Sequence, residues 1–424
     1  MASFMLVAMV FFFALGLPIA IAILAASIGG MSFFTPLPLI LVAQRLMTTL
    51  DSFPLMAIPF FILAGNLMEA GGISRRLVEF AKSLVGGVQG GLACSCVLTC
   101  LIFASVSGSS VATTFAIGAI IIPAMLRHGY PKSFAASLQA TSAELGVIIP
   151  PSIPLILYGV SAEVSIGELF VAGIGPGLLI GGALILFVYI YCRKNGWGKE
   201  DHVGRLGVWQ ATKNASLALI MPVIVIGGIY RGVFTPTEAS VVAVVYALIV
   251  GVVIYRAISF PDLLAVLRRS VIASAIIMFV IAAAGLFSFL ITRAGVPAAI
   301  GAWISQVISD PMTFLLVVNL FLFIVGMFIE TSAAIIVLAP ILVPVAIAFG
   351  VDPVHFGLIM VVNLALGMIT PPFGVNLFAA CQVANVPLER IIKHLVPFVL
   401  VVIACLAVVT YVPGVTLFFR DLLY

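Results

Sequence analysis

Apolar residues run along this chain in long unbroken stretches separated by short polar interruptions, with almost no two-residue alternation. Half-exposed strands alternate and half-exposed helices keep a polar face, so stretches apolar all round predict helices buried in protein or lipid. Full spans are expected at 5–28, 54–68, 134–158, 170–191, 217–230, 239–255, 271–291, 356–379 and 396–418. Two more apolar stretches bend at a polar centre. Residues 92–125 contain Ser105-Val106-Ser107-Gly108-Ser109-Ser110, and 314–343 contain Gly326 followed at short distance by Glu330-Thr331-Ser332. Each predicts two half-length helices around a polar tip, a re-entrant hairpin; a pair of ordinary short spans is the other reading. Segments 33–50 and 297–311 mix apolar and polar positions, occupy roughly similar places in the two halves and read as a matching pair of interfacial amphipathic arms.

One short pattern occurs twice: Leu145-Gly146-Val147-Ile148-Ile149-Pro150-Pro151 and Leu366-Gly367-Met368-Ile369-Thr370-Pro371-Pro372. A double proline removes helix hydrogen bonds and drives the preceding residue out of the helical region. Broken backbone at membrane depth survives only inside protein or along a polar cavity. The match extends further at an offset of 221 residues, where Pro123 falls on Pro344, Gly146 on Gly367, Glu168 on Glu389, and Ser109-Ser110 on Glu330-Thr331. Ala70-Gly71-Gly72-Ile73 meets Ala294-Gly295-Val296-Pro297 at a slightly larger offset. The unit is therefore span, hairpin, broken span, span, present twice. Matched breaks in two halves are the pattern of transporters built from internal repeats with a site near the bilayer midplane.

Composition agrees. Of 424 residues, 63% are hydrophobic and 8% charged, and the mean hydropathy is +1.34; a soluble domain carries about 25% charged residues. A membrane barrel is excluded by the lack of alternation. The first basic residue is Arg45, so the opening apolar stretch reads as a retained span rather than a secretory signal. Cys94, Cys96 and Cys100 have no His or acidic neighbour and read as small packing residues, not a metal site. His128, His202, His355 and His394 lie at span ends and form no zinc or nucleophile motif. The net charge of +4 is too small to suggest a nucleic-acid partner.

Basic residues set orientation. Arg193, Lys194, Lys199, Arg205 and Lys213 mark the 192–214 loop as cytoplasmic. Arg75, Arg76 and Lys82; Arg127 and Lys132; Arg256, Arg268 and Arg269; and Arg390 and Lys393 fall on the same side if the bent segments are hairpins. The N-terminus is then expected inside and the C-terminus outside, and the two repeats are inverted.

A cation needs several oxygens, and a broken helix supplies carbonyls without amide partners. One candidate cage combines Ser107 and Ser110 with backbone from Gly146, Ile149 and Pro151. The second combines Gly326 with backbone from Gly367 and Phe373 and the Thr370 hydroxyl. Plain helix capping by these hydroxyls is the competing account, though it leaves the paired breaks unexplained. Half-helix N-termini at the tips favour a carboxylate, so Ser109, Thr331, Ser332 and the amide of Asn376 are candidate substrate contacts. No Lys or Arg lies mid-span near the breaks, so dipoles, hydroxyls and bound cations are expected to hold the anion. Glu144 and Glu330 are costly acids at membrane depth, read as proton-coupling or cation-attracting groups, or for Glu330 as a water-facing tip residue. An intramembrane enzyme would need clustered acids or a nucleophile–base pair, and a scaffold would not need matched breaks.

Further strings carry a resemblance: Gly108-Ser109-Ser110-Val111-Ala112-Thr113, Leu145 to Pro154, Phe170-Val171-Ala172-Gly173-Ile174-Gly175-Pro176-Gly177, Phe234-Thr235-Pro236-Thr237-Glu238-Ala239, Asp352-Pro353-Val354-His355-Phe356-Gly357 and Thr370 to Asn376. Over nearly its whole length the chain resembles the large membrane (M) subunit of TRAP transporters, the DctM-like family of the tripartite ATP-independent periplasmic class. The resemblance implies an all-α polytopic membrane protein with an inverted-repeat elevator fold, two re-entrant hairpins and two broken helices, similar to sodium-coupled dicarboxylate carriers. It implies two Na⁺ sites, with family ligands carried to Ser107, Ser110, Gly146, Ile149 and Pro151, and to Gly326, Gly367, Thr370 and Phe373. The family often has Asp where Glu330 stands.

Its expected activity is sodium-coupled symport of an organic acid such as a C4-dicarboxylate or sialic acid across the cytoplasmic (inner) membrane of a bacterium or archaeon. Its expected partners are a periplasmic substrate-binding protein and a separate small four-span membrane subunit. A stand-alone ion-coupled dicarboxylate carrier of the same fold is the alternative. Residues 84–168 and 313–382 are expected to form the transport domain, with 1–83 and 169–312 as scaffold and 383–424 as the final span. No GxxxxGK[ST] string is present, so the chain is not expected to hydrolyse ATP.

Overall fold

A computed structural model of the chain describes residues 1–199, 207–308 and 310–423, with the backbone alone at 305. Arg205 and His202 of the expected cytoplasmic loop lie outside the described residues. Among the described residues the regular structure is entirely helical. The first half contains α1 (Ala2–Ala14), α2 (Ile19–Phe34), α3 (Ile40–Leu50), α4 (Ala57–Ala70) and α5 (Ile73–Val85). Then come α6 (Gly91–Ser107), α7 (Ser110–Arg127), α8 (Lys132–Ala143), α9 (Leu145–Ile148), α10 (Ile153–Ala162) and α11 (Ile166–Asn195). The second half contains α12 (Val208–Tyr230), α13 (Pro236–Leu248), α14 (Phe260–Arg293), α15 (Val296–Val307), α16 (Pro311–Phe328) and α17 (Thr331–Ala348). It ends with α18 (Pro353–Met368), α19 (Val375–Ala384), α20 (Leu388–Tyr411) and α21 (Gly414–Leu423). Nine helices among the described residues are long and apolar enough to cross a bilayer.

Local chemistry sets most of these boundaries. Gly108 at φ 61 ends α6, and the Ser109 hydroxyl caps α7, so the first hairpin turns where the polar tip was expected. The second turns at Ile329–Glu330, with Glu330 as the cap of α17. Both double prolines break their helices: the first between α9 and α10, the second between α18 and α19. The Pro150–Pro151 and Pro371–Pro372 peptides are both cis. Two of the distinctive strings prove to be helix starts. Thr235 and Glu238 form a reciprocal capping box with Pro236 in the first turn, and Asp352 accepts from the Val354 and His355 amides ahead of Pro353.

Three expectations need correction. The span over 5–28 is two helices: Gly16 at φ 78 and Pro18 break it, and Phe4 of α1 reaches Phe33 and Phe34 at the far end of α2, so the pair folds back on itself. Residue 4 therefore lies level with residue 34, not at the opposite end of one rod. The span over 396–418 ends at Val412, where Pro413 precedes the separate helix α21, which packs on α11. The arm that matches α15 is α5, since Gly72 and Gly295 start both from a left-handed conformation (φ 72 and 70); α3 lies instead against α14.

The repeats interlock rather than sit side by side. After the first break α10 packs on α17 of the other repeat, and after the second break α19 packs on α7. That reciprocal exchange is the contact pattern of a two-fold relation between halves, and it draws both breaks into one core. The hairpins are less alike: α6 and α7 lie along one another, whereas α16 packs mainly on α18.

Candidate functional site

At the first break, the tip of hairpin 1 (α6–α7) docks on backbone. Ser107 Oγ lies 2.9 Å from Thr113 Oγ1, which donates to the Ser109 carbonyl at 2.8 Å. Gly146 sits directly opposite: a Cβ there would come 2.8 Å from that same carbonyl oxygen and 2.9 Å from Thr113 Oγ1. Gly108 approaches Pro151 as closely, its notional Cβ 2.7 Å from the Pro151 carbonyl oxygen. Ser107 and Gly146 thus meet at Thr113, with Pro151 close by at Gly108, and hydroxyl and carbonyl oxygens share one small space. Ser110 is buried at the first turn of α7, and its carbonyl accepts from Thr114. The Ile149 side chain lies against Gly177, so only its backbone could serve a cation. Thr113 was missed by the sequence reading, although it stands four residues after Ser109, the spacing at which a helical hydroxyl reaches back to a carbonyl.

The second break is built from glycine. A Cβ on Gly367 would run into the carbonyl carbon of Gly326, so hairpin 2 (α16–α17) touches its break backbone to backbone. The Thr370 hydroxyl donates to the Leu366 carbonyl at 2.9 Å, which leaves its lone pairs for a second partner. The Phe373 ring is exposed and lies 5.8 Å from the ring of Phe328. Gly374, at φ 30, brings its backbone close to the Met368 and Thr370 carbonyls. The first junction is therefore rich in hydroxyls and the second in carbonyls.

Three expected substrate contacts are already occupied. At the N-terminus of α17, Glu330 accepts from the Ser332 amide (2.9 Å), the Ala333 amide (3.2 Å) and the Ser332 hydroxyl (2.9 Å). The protein's own carboxylate thus fills the dipole site expected to hold a substrate anion, and Glu330 is a capping residue. Thr331 is fully buried with its hydroxyl on Met368 Sδ. Asn376 is fully buried too, and its amide donates to Glu144 Oε1 while its oxygen faces Thr114 at 3.4 Å. Asn376 thereby joins the two halves, while Thr331 and Ser332 bond within the second.

Ser109 remains accessible. With Ser107 it lines a cavity of about 190 Å³ between hairpin 1 and the helices α4 and α14, whose wall includes Asn66, Glu69 and Arg269. Asn66 donates to Ser270 at 2.8 Å and ties α4 to α14. A basic side chain, Arg269, thus lines a cavity beside the hairpin tip, although no Lys or Arg lies mid-span near the breaks. Arg269 sits among charges that set topology, but it is ten residues into a continuous helix of 34 and so reaches the level of the tip. Cys96 and Cys100 face Gln139, which binds α8 to α6.

Comparison with known proteins identifies the family and the fold. The profile of the family described as "Tripartite ATP-independent periplasmic transporter, DctM component" matches residues 6–415. The chain is 45% identical over 409 residues to the isethionate TRAP transporter permease protein DctMQ of Oleidesulfovibrio alaskensis, covering 96% of this chain and 64% of that longer protein. It is 40% identical over 422 residues to the C4-dicarboxylate TRAP transporter large permease protein DctM of Rhodobacter capsulatus, covering 96% of each. The sialic acid TRAP transporter large permease protein SiaM of Vibrio cholerae is 35% identical over 407 residues, 96% of this chain and 95% of that protein. Among solved structures, the Alcanivorax borkumensis YdaH transporter has the same fold, with a TM-score of 0.64 over 88% of this chain and 87% of that one at 14% identity. This multi-pass membrane chain belongs to the DctM component family of the tripartite ATP-independent periplasmic transporters.

Proposed function

We propose that this chain is the import subunit of a sodium-coupled organic-acid symporter in the cytoplasmic membrane, and that it works by an elevator movement. The observation that carries the reading is the docking of each hairpin tip on a helix break, Ser109 and Thr113 on Gly146 and Gly326 on Gly367. Two Na⁺ are the ions assigned to these oxygen-lined junctions, with Ser107, Thr113, Gly146 and Pro151 around one, and Gly326, Gly367 and Thr370 around the other. The hairpins with α8–α10, α18 and α19 are the moving unit, and the remaining spans are the frame. A soluble periplasmic binding protein delivers the acid, and a small four-span membrane subunit completes the complex; membership of the tripartite family supports both.

Coupling is energetically sufficient. Each Na⁺ entering down 100 mV supplies about 2.3 kcal/mol, so two supply roughly three orders of magnitude of accumulation for a neutral load before their own gradient is counted. Orientation follows the basic clusters at 75–82, 127–132, 193–199, 256–269 and 390–393, assigned to the cytoplasm. Because α1 folds back on α2, the same clusters now carry the N-terminus to the periplasmic side, where the C-terminus also lies.

The test is uptake by the complete complex in proteoliposomes. Concentrative uptake should require an inward sodium gradient and the binding protein. Accumulation that survives collapse of that gradient would overturn the coupling, and uptake without a binding protein would turn the reading to a stand-alone carrier.

A further inference from the structure

On the side of the basic clusters, a recess of about 660 Å³ lies where α5 packs on α12. Arg76 is its fixed cation. The guanidinium lies over the Tyr255 ring, 3.6 Å from the centroid, and donates one N–H to the Gly72 carbonyl at 3.1 Å. Stacking and that bond hold its plane in place, with further N–H groups left to donate. Arg75 and Lys213 add charge from the two walls, and the acid of the lining, Glu79, sits 3.5 Å from Arg75. No carboxylate lies within 4 Å of Arg76 or Lys213 among the described residues.

We infer that this recess binds the head group of an anionic glycerophospholipid, with the phosphodiester on Arg76 and Lys213. The inference goes beyond the transport reading and holds whatever the cargo. A planar guanidinium matches two phosphate oxygens at once. Three cations against one acid leave the lining positive, so a zwitterionic head would bring its ammonium against Arg75 and Lys213. What marks the ligand as a lipid is the surface that continues from the recess. Lys213, Leu217, Ile220 and Val223 follow one another at helical spacing along one face of α12. That face is cationic at the cytoplasmic end, and Ile220 and Val223 are apolar and exposed further in. Val253 and Ile254, just ahead of Tyr255, are exposed as well. The head and chains of a phospholipid follow the same order, and basic pockets between spans on the cytoplasmic side suit such heads. Because α5 packs on α6 as well as α12, a head bound there braces the frame at the root of hairpin 1.

The experiment delipidates the purified chain in detergent and reads retained lipid by native mass spectrometry. Melting is then followed against added phosphatidylglycerol, phosphatidylethanolamine, glycerol 3-phosphate and inorganic phosphate. Phosphatidylglycerol should be retained and should raise the melting temperature, and the other three should do neither. Arg76→Gln should weaken phosphatidylglycerol binding by about fivefold or more. Arg76→Lys should fall between it and the parent, because lysine keeps the charge but not the plane. Lys213→Gln should weaken binding by a similar factor, and as an exposed position it tests the site even if Arg76→Gln disturbs α5. Glu79→Gln should strengthen binding. Arg127→Gln, at an exposed arginine of another basic cluster, should leave it unchanged. Equal retention of the two lipids, equal losses in Arg127→Gln and Lys213→Gln, or displacement of the lipid by either soluble phosphate would overturn the inference. Loss of the lipid when the small membrane subunit joins the chain would give the recess to a protein partner and overturn it too.

Discussion

Glu144, just ahead of the first helix break, accepts a hydrogen bond from Asn376, just past the second, across 232 residues of chain. Glu144 Oε2 is buried with no partner, so Asn376 is the one group that answers this carboxyl among the described residues. The bond fastens the start of one break to the end of the other.

Asn376→Ala should therefore destabilise more than Glu144→Gln. The alanine strands a buried carboxyl and costs on the order of 1–3 kcal/mol, whereas the glutamine keeps shape and a partner for the amide. Apparent melting temperatures of the purified chain check the order; equal or reversed values would show that the bond does not join the halves.

Thr113→Val removes the hydroxyl between Ser107 and the Ser109 carbonyl at nearly constant volume. Sodium half-activation of uptake should rise by about tenfold, the equivalent of ~1.4 kcal/mol. Thr370→Val should shift it less, because that hydroxyl is already tied to the Leu366 carbonyl and its cage relies on backbone. Sodium titrations of initial uptake rates read both, and a larger effect at Thr370 would reverse the assignment.

Gly146→Ala and Gly367→Ala both push a tip off its break. At Gly367 the obstacle is the Gly326 backbone, which cannot rotate away, and at Gly146 part of it is the Thr113 side chain. Overpacking of this kind costs about 1–3 kcal/mol, so uptake should fall in both and further in Gly367→Ala. Sodium-induced protection from heat should be lost in parallel.

Asp352 ties α21 to the start of α18 through Arg420 at 2.7 Å. Burial works against its charge, but the Arg420 guanidinium and the His355 and Val354 amides outweigh it and hold the carboxyl below its ordinary range. A depressed folded value gives stability that is complete above the unfolded pKa of about 3.9 and is lost as pH falls through the lower folded one. Stability should be flat in this respect from pH 8 to 5 and decline below about 4, and Asp352→Asn should remove that limb. Limited proteolysis of the C-terminal segment across the pH range provides the measurement.

The helix breaks, hairpin tips and repeat were legible because each rests on local chemistry: a double proline, a glycine that turns left-handed, a hydroxyl one residue on. The 5–28 and 396–418 spans misled because hydropathy averages over Gly16-Leu17-Pro18 and Pro413, whose backbone geometry ends a helix without changing how apolar it is. Arg269 misled for the opposite reason: as a charge it signals a boundary, but a helix of 34 residues is about 51 Å long and carries it past that boundary to the tip.

The sequence by itself determined that the chain is a membrane-embedded repeat protein with two broken helices, since hydropathy, proline and glycine act within a few residues. Only the tertiary structure decided which polar groups are free. Asn376 looks as available as Ser109 in the sequence, yet Glu144 of the other repeat has claimed it. Whether a donor is spent depends on partners brought near by packing, and here that packing crosses from one repeat into the other.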